Sequence, residues 1–141
     1  MTVEQGESQV VHPTRVLHRK YVEPIIFLAD RMAIVDGQVV PKERKLVEDL
    51  AKAAKMKNFR HERWYRDLDD RKACQAIDVE PARQAAMVVL SLVLKADKIR
   101  EESEHEFFRE IRGMIGAEPV TVPVDFEAHK TLAIEHLHQG R

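Results

Sequence analysis

The chain has 141 residues, of which 44% are hydrophobic and 33% are charged, a composition typical of a helix-rich soluble domain with one core. Its 23 lysines and arginines nearly balance 24 aspartates and glutamates, for a formal charge of −1, which argues against nucleic acid as a main partner. The single cysteine, Cys74, excludes an internal disulfide framework and fits a reducing compartment. We interpret Cys74 as a small core residue.

The N-terminal segment predicts neither a signal peptide nor a membrane anchor. Residues 1–13 are polar and lack a hydrophobic period, so we predict a flexible arm followed by one helical domain over 14–141. The longest uncharged run, 84–94, is shorter than the roughly 20 apolar residues that cross a bilayer. We therefore expect a cytoplasmic protein without direct membrane insertion.

The first half of the chain predicts a buried helix followed by an amphipathic one. The pattern over 14–35 is helical, and residues 25–35 are apolar on nearly every face. Pro24 either kinks this helix or begins a second helix at its first position. Gly37 ends the segment, and Pro41 begins the next helix. The apolar stripe of that helix consists of Leu46, Val47, Leu50, Ala53 and Ala54.

The middle of the chain predicts short connecting helices and then a second central helix. Residues 58–78 are charged and contain scattered aromatic side chains, which favours one or two short helices. Pro81 starts a strongly apolar helix that ends at Ala96. Residues 101–115 are amphipathic, and Gly116 is well placed as the C-cap of that helix.

The C-terminal part predicts an extended connector over 119–123 and a last helix that opens at or near Asp125 and ends at His138. No strand pattern of any length competes with these helices. We therefore predict an all-α fold of six to seven helices.

A weak internal repeat relates residues 32–50 to residues 93–111. Each copy has an apolar helix that ends in aspartate, a turn, a glutamate seven residues later, and an apolar pair ten and eleven residues after the aspartate. The acids are Asp36 and Glu43 in the first copy and Asp97 and Glu104 in the second. The fold is therefore predicted to contain two related helix–elbow–helix units.

Helical projection places all four carboxylates on, or at the edge of, the packed sides of their helices. In a structural interpretation, the aspartates form Asx-type turns, the glutamates cap helices, and Gly37 supplies a positive φ. The alternative is a cation site, because two carboxylates close across one elbow repel unless a proton or metal joins them. Oxygen ligands favour Ca²⁺ or Mg²⁺, although the spacing does not match an EF-hand loop.

A repeated Glu-x-x-His spacing would be compatible with an enzymatic site. Glu102-x-x-His105 and Glu135-x-x-His138 match the Glu-x-x-His spacing of di-iron helix bundles. Glu102 projects away from the apolar stripe of its helix, so we interpret these residues as surface groups. Gly-rich phosphate loops, Ser/His/Asp arrangements and Cys/His metal spacings are missing from the sequence. We therefore expect a protein that is not an enzyme.

The elbow motifs also carry a family resemblance. The stretch Ala-Ile-Val-Asp-Gly-Gln-Val-Val-Pro-Lys-Glu-Arg over 33–44 resembles the Ala-Asp-Gly-x-Ile/Val signature, with its later Glu, of the TerB-like tellurite-resistance family. The stretch over 95–108 looks like the same signature recurring, with Lys98 in place of the glycine. Members of that family are compact all-helical domains tied to resistance to tellurite and other stresses, without an established catalytic reaction.

The resemblance implies a cytoplasmic stress module that binds a divalent cation and works with a protein partner, whose identity stays open. The implied metal ligands are Asp36, Glu43, Asp97 and Glu104, with Gly37 as a structural turn residue. The alternative function is a non-catalytic protein-interaction or scaffolding domain in which the same acids only stabilise the fold.

Overall fold

The computed structural model describes residues 10, 12–13, 17–33, 41–56, 69–96 and 102–137. These residues form six helices: α1 (Arg19–Ala33), α2 (Pro41–Ala53), α3 (Asp70–Ala76), α4 (Glu80–Ala96), α5 (Glu102–Ile115) and α6 (Phe126–Leu137). Extended pairing in these ranges is limited to one isolated parallel bridge between Val10 and Thr121. The predicted all-α class is confirmed. None of the six helices has the length and hydrophobicity needed to span a membrane.

The core is built on α1 and α4. Ten of the fifteen residues of α1 are buried, and so are nine of the seventeen residues of α4. The two helices pack directly against each other; α1 also contacts α2, α3 and α5, and α4 also contacts α2, α5 and α6. Because both helices are covered on several faces, most of the residues in their central turns are apolar and buried. The two most apolar helices predicted from the sequence thus form the core together over their described residues.

The start of α1 lies later in the chain than the sequence pattern predicted. The helix begins at Arg19, because His18 caps it: the backbone N–H of Lys20 donates to His18 Nδ1 at 3.0 Å. The predicted onset at residue 14 is therefore wrong, since the two described residues before Arg19 are not helical. Pro24 is buried inside α1, so it does not begin a second helix.

Other helix starts follow their capping signals. The first residue of α2 is Pro41, as predicted, and α4 begins at Glu80, one residue before the predicted start at Pro81. Asp125 precedes α6, and its Oδ2 accepts a hydrogen bond from the Ala128 N–H at 2.9 Å. The predicted role of Asp125 is thus confirmed.

Helix α3 lies in the described part, 69–78, of the segment 58–78, for which one or two short helices were predicted. Asp69 is its N-cap, and Asp69 Oδ1 accepts a first-turn backbone N–H at 2.8 Å. Cys74 is buried in α3, as predicted. Burial, aided by the negative charge of Asp70, raises the pKa of the Cys74 thiol to about 11. At neutral pH Cys74 is therefore a protonated thiol and a poor nucleophile.

Gly116 ends α5 in the left-handed conformation, with φ of +75°. The N–H groups of Gly116 and Ala117 both donate to the Arg112 carbonyl, at 2.9 and 3.1 Å. These two bonds satisfy a carbonyl that the last helical turn leaves open, which is the usual function of a C-terminal glycine. The predicted C-cap is confirmed.

Two glycines three residues apart give a matched test of this cap. An added Cβ meets no atom within 4 Å at either Gly113 or Gly116, so steric clashes do not distinguish them. Gly116→Ala should lower the free energy of unfolding by about 1 kcal/mol, because alanine is strained at positive φ. Gly113→Ala should raise it by roughly 0.5–1 kcal/mol, because Gly113 is inside a helix. Urea unfolding measures both values, and shifts in the same direction would contradict the assigned cap.

His129 joins α6 to α4 inside the core. Its ring is fully buried, and Nε2 donates a hydrogen bond to the Val88 carbonyl at 2.9 Å. Nδ1 is also buried and makes no hydrogen bond to the described residues. Burial lowers the pKa of His129 to about 4; the Val88 hydrogen bond opposes this shift, and the positive charge of Lys95 adds to it.

The folded protein should therefore lose stability as pH falls through the range from 6.5 to about 4. In this range the unfolded chain binds a proton at residue 129 that the folded chain excludes, and the accumulated loss approaches about 3 kcal/mol. His129→Gln should remove this part of the pH dependence, whereas His105→Gln, at a half-buried position of α5, should keep it. Urea unfolding at several pH values makes the comparison. Parallel profiles for the parent and His129→Gln would show that His129 is not the titrating group.

Candidate functional site

Two of the four predicted metal ligands lie in the described structure. Glu43 is in α2 and Glu104 is in α5. Asp36 and Asp97 fall outside the described residues, as does Gly37. The geometry of the candidate site is therefore built from the two glutamates and the helices that carry them.

Glu43 is the third residue of α2, after Pro41 at the first position. Residues three and four positions apart share a helix face, so Glu43 lies on the side of Leu46 and Val47, which are both buried. Glu43 itself is 0% exposed, and each of its carboxylate oxygens has less than 1 Å² of accessible surface. The predicted inward orientation of this acid is confirmed.

Glu104 occupies the same place in α5, as the third residue of its helix. It is 1% exposed and shares a face with Phe107 and Ile111, both of which are buried. The sequence repeat therefore has a structural counterpart, in which a first-turn glutamate from each unit points into the protein. First-turn positions also suit negative charge, because backbone N–H groups and the helix dipole face the carboxylate.

A carboxylate removed from water requires hydrogen bonds, a counter-charge or a proton. Neither Glu43 nor Glu104 lacks an interaction partner. Their all-oxygen chemistry suits a hard cation such as Ca²⁺ or Mg²⁺. Within the described ranges, however, no group of three or more His, Cys, Asp and Glu side chains is placed to hold a metal ion. A cation bound at either glutamate would thus need a further ligand from outside these ranges, such as the elbow aspartate.

Both glutamates of the di-iron spacing lie on the surface. The side chain of Glu102 is 78% exposed, and its Oε1 accepts from Arg109 Nη2 at 3.4 Å. Glu135 is also exposed and lies 3.4 Å from His12 Nδ1. His138 falls outside the described residues. The interpretation of Glu102 as a surface residue is confirmed.

Arg31 connects three helices near the end of α1. Its Nε and Nη2 donate to Asp70 Oδ1 and Oδ2, at 3.0 and 3.2 Å, so the ion pair is bidentate. Its Cζ atom lies 5.9 Å from the ring centroid of Phe107, within cation–π range. Phe107 is one turn after Glu104, so Arg31 links the helix that precedes the first elbow to the helix that follows the second.

Three buried polar side chains were not predicted from the sequence: Asp30, His129 and His136. Asp30 lies inside the apolar run that became α1, and it is 1% exposed. A helical projection of α6 would have placed His129 beside Leu132 and Ala133, which are buried on the same face. The sequence signal for their burial was therefore the apolar residues around them, since aspartate and histidine alone do not indicate burial.

Comparison of the chain with protein-family models, with curated proteins and with solved structures found no match. The TerB-like resemblance therefore depends on the two elbow motifs.

Breaking the Arg31–Asp70 pair should measurably weaken the fold. Asp70→Asn should lower the free energy of unfolding by about 1 kcal/mol, because it removes a charged, bidentate acceptor from a half-buried guanidinium. Arg109→Gln, which breaks the exposed pair with Glu102, should change it by less than about 0.5 kcal/mol. Urea unfolding of both variants provides the measurement. An equal loss in the two variants would contradict the linking role of Arg31.

Proposed function

We propose that this chain is a non-catalytic, TerB-like stress-response module that binds a divalent cation through carboxylates at its helix elbows. The observation that carries the proposal is the burial of Glu43 and Glu104, which are 0% and 1% exposed at equivalent first-turn positions. Two interior carboxylates related by a sequence repeat favour a shared role, because carboxylates are rarely buried without a specific partner.

In this proposal each elbow supplies one aspartate and one glutamate. Asp36 acts with Glu43, and Asp97 acts with Glu104. Carboxylate oxygens favour Ca²⁺ or Mg²⁺, and a bound cation would neutralise the repulsion between the two acids. The first elbow is the stronger site, because Lys98 places a positive charge next to Asp97 in the second.

The physiological role follows from the position of the ligands. Asp36 ends the predicted central helix and Glu43 lies in the first turn of α2, so their joint ligation would stabilise the connection between the two helices. The module then responds to cation supply through its stability, and it acts on a protein partner rather than on a substrate. Tellurite is the stress that the resemblance suggests, and cation binding is the property to test first.

A scaffolding role is the competing candidate, and one observation favours it. Glu43 is the third residue of α2, where a glutamate side chain can return to the backbone N–H of the residue before the helix. In that case the acids stabilise the fold without any cation, and the protein acts only through its surface.

Thermal unfolding with and without Ca²⁺, Mg²⁺, Mn²⁺ and Zn²⁺ separates the two candidates. A cation that binds only the folded state should raise the melting temperature of the parent; at 100 times its dissociation constant, the gain is about 2.7 kcal/mol. Glu43→Gln should abolish the increment. Asp36→Asn should also abolish it, although asparagine can still form an Asx-type turn. Asp97→Asn should have a smaller effect.

Glu102→Gln is the matched control, because Glu102 is an exposed acid in the first turn of the helix that carries Glu104. It should leave the cation-dependent increment unchanged. If none of the four cations shifts the melting temperature of the parent, the cation-binding function is excluded and the scaffolding role is retained.

A further inference from the structure

A half-open groove of about 530 Å³ lies between α2 and α6, beside the end of α4. Its apolar surface comes from Leu46, Ala96, Val124 and Phe126. Val124 is 93% exposed, so a large aliphatic side chain stands in water at the edge of the groove. The volume is in the range of sites that hold small organic ligands, which are usually lined by apolar groups with a few polar ones.

The rim of this groove is positively charged. Its described residues include four lysines and two acids, which leave a formal charge of +2 in a chain whose formal charge is −1. The lysines are Lys42, Lys45, Lys95 and Lys130, and the acids are Asp49 and Glu127. A concave surface with one dominant sign of charge raises the local concentration of oppositely charged ligands.

One wall of the groove holds two ammonium groups around one carboxylate. Lys45 Nζ lies 3.3 Å from Asp49 Oδ1, and Lys130 Nζ lies 3.2 Å from Asp49 Oδ2. Burial raises the pKa of Asp49, but hydrogen bonds and charges from Lys130 and Lys45 outweigh burial, so the pKa is lowered overall. Asp49 is therefore ionised at neutral pH, and the three groups together keep one positive charge.

The third lysine is held at the apolar side of the groove. Lys95 Nζ donates to the Pro123 carbonyl at 2.6 Å and to the Val124 carbonyl at 3.3 Å. These bonds place an ammonium group next to Val124 and fix the connector before α6 against the end of α4. Positive charge and apolar surface thus meet within one concave site.

We propose that this groove binds a small anionic amphiphile, with a phosphate or carboxylate head and an apolar body. Lysine ammonium groups act as point charges, so they suit either head group without demanding the planar geometry that arginine recognises. An inorganic anion alone would leave the apolar lining in water, and a neutral apolar compound would forgo the charged rim. The ligand that uses the whole site has both parts.

This groove is separate from the elbow acids. Glu43 and Glu104 are enclosed in the core, whereas the groove opens to solvent and contains neither residue. Cation binding and amphiphile binding are consequently independent proposals. A result that refutes one of them does not affect the other.

Heteronuclear NMR titrations of the full chain test the proposal with four probes: naphthyl phosphate, naphthoate, naphthol and inorganic phosphate. At least one of the two charged naphthalenes should shift the amide signals of Lys45, Asp49, Phe126 and Lys130 in a saturable way. Naphthol and inorganic phosphate should each bind about tenfold more weakly, because each satisfies only one half of the site. The comparison of naphthyl phosphate with naphthoate identifies the preferred head group.

Three variants locate the site. Lys45→Gln should weaken the charged probe about fivefold, equivalent to about 1 kcal/mol, and its side chain is 75% exposed, so the fold should tolerate the change. Val124→Asp should weaken binding more than Lys45→Gln does, since it removes apolar surface and adds a negative charge at the edge of the groove. Val124 is 93% exposed, so the fold should tolerate this change as well. Lys72→Gln, an exposed lysine on α3 outside the groove, is the charge-matched control and should bind like the parent.

Three results would overturn the proposal. The first is that neither charged naphthalene produces saturable shifts at the groove. This result overturns the proposal even if an acidic peptide binds there. The second is inorganic phosphate or naphthol binding as tightly as the charged naphthalenes. The third is Lys72→Gln weakening binding as much as Lys45→Gln does.

Discussion

The packing of α1 against α4 is the constraint on which the rest of this structure depends. From Ile25 to Ala29 every residue of α1 is at most 1% exposed, so other helices must cover this stretch on all sides. The helices that cover this stretch also bury polar side chains of α1. Asp30 follows directly in the sequence and is 1% exposed, and Arg31 reaches the edge of the core, where it binds Asp70. The interior of this protein is therefore apolar with a small number of buried acidic and histidine side chains.

The acidic and basic side chains of this protein are distributed unevenly. Interior acids such as Glu43 and Glu104 lie in first helical turns, whereas a groove on the outside of α2 and α6 carries an excess of lysines. A near-neutral chain thus combines buried acidic side chains with an exposed positive concavity. The first feature favours a cation and the second an anion, and α2 carries residues of both.

Patterns within single helices were sufficient to predict much of the fold. Periodicity predicted the two central helices and the inward orientation of Glu43 and Glu104, and the C-cap followed from Gly116 alone. The onset of α1 was missed because His18 caps through a ring nitrogen, a residue type that carries little capping signal. The projection of α6 indicates that His129 is buried, but its hydrogen bond to Val88 and the groove were missed because each depends on helices far apart in the chain meeting in space, which no local pattern encodes.

The central claim, that interior carboxylates serve a cation, is tested most directly by a crystal structure of the protein soaked in Mn²⁺ or Ca²⁺. If they do, metal density should appear with a Glu43 carboxylate oxygen among its ligands, at about 2.3–2.6 Å for Ca²⁺, and with a second carboxylate from the first elbow completing the pair. A structure in which backbone N–H groups saturate both Glu43 oxygens, with no metal density beside them, would contradict it.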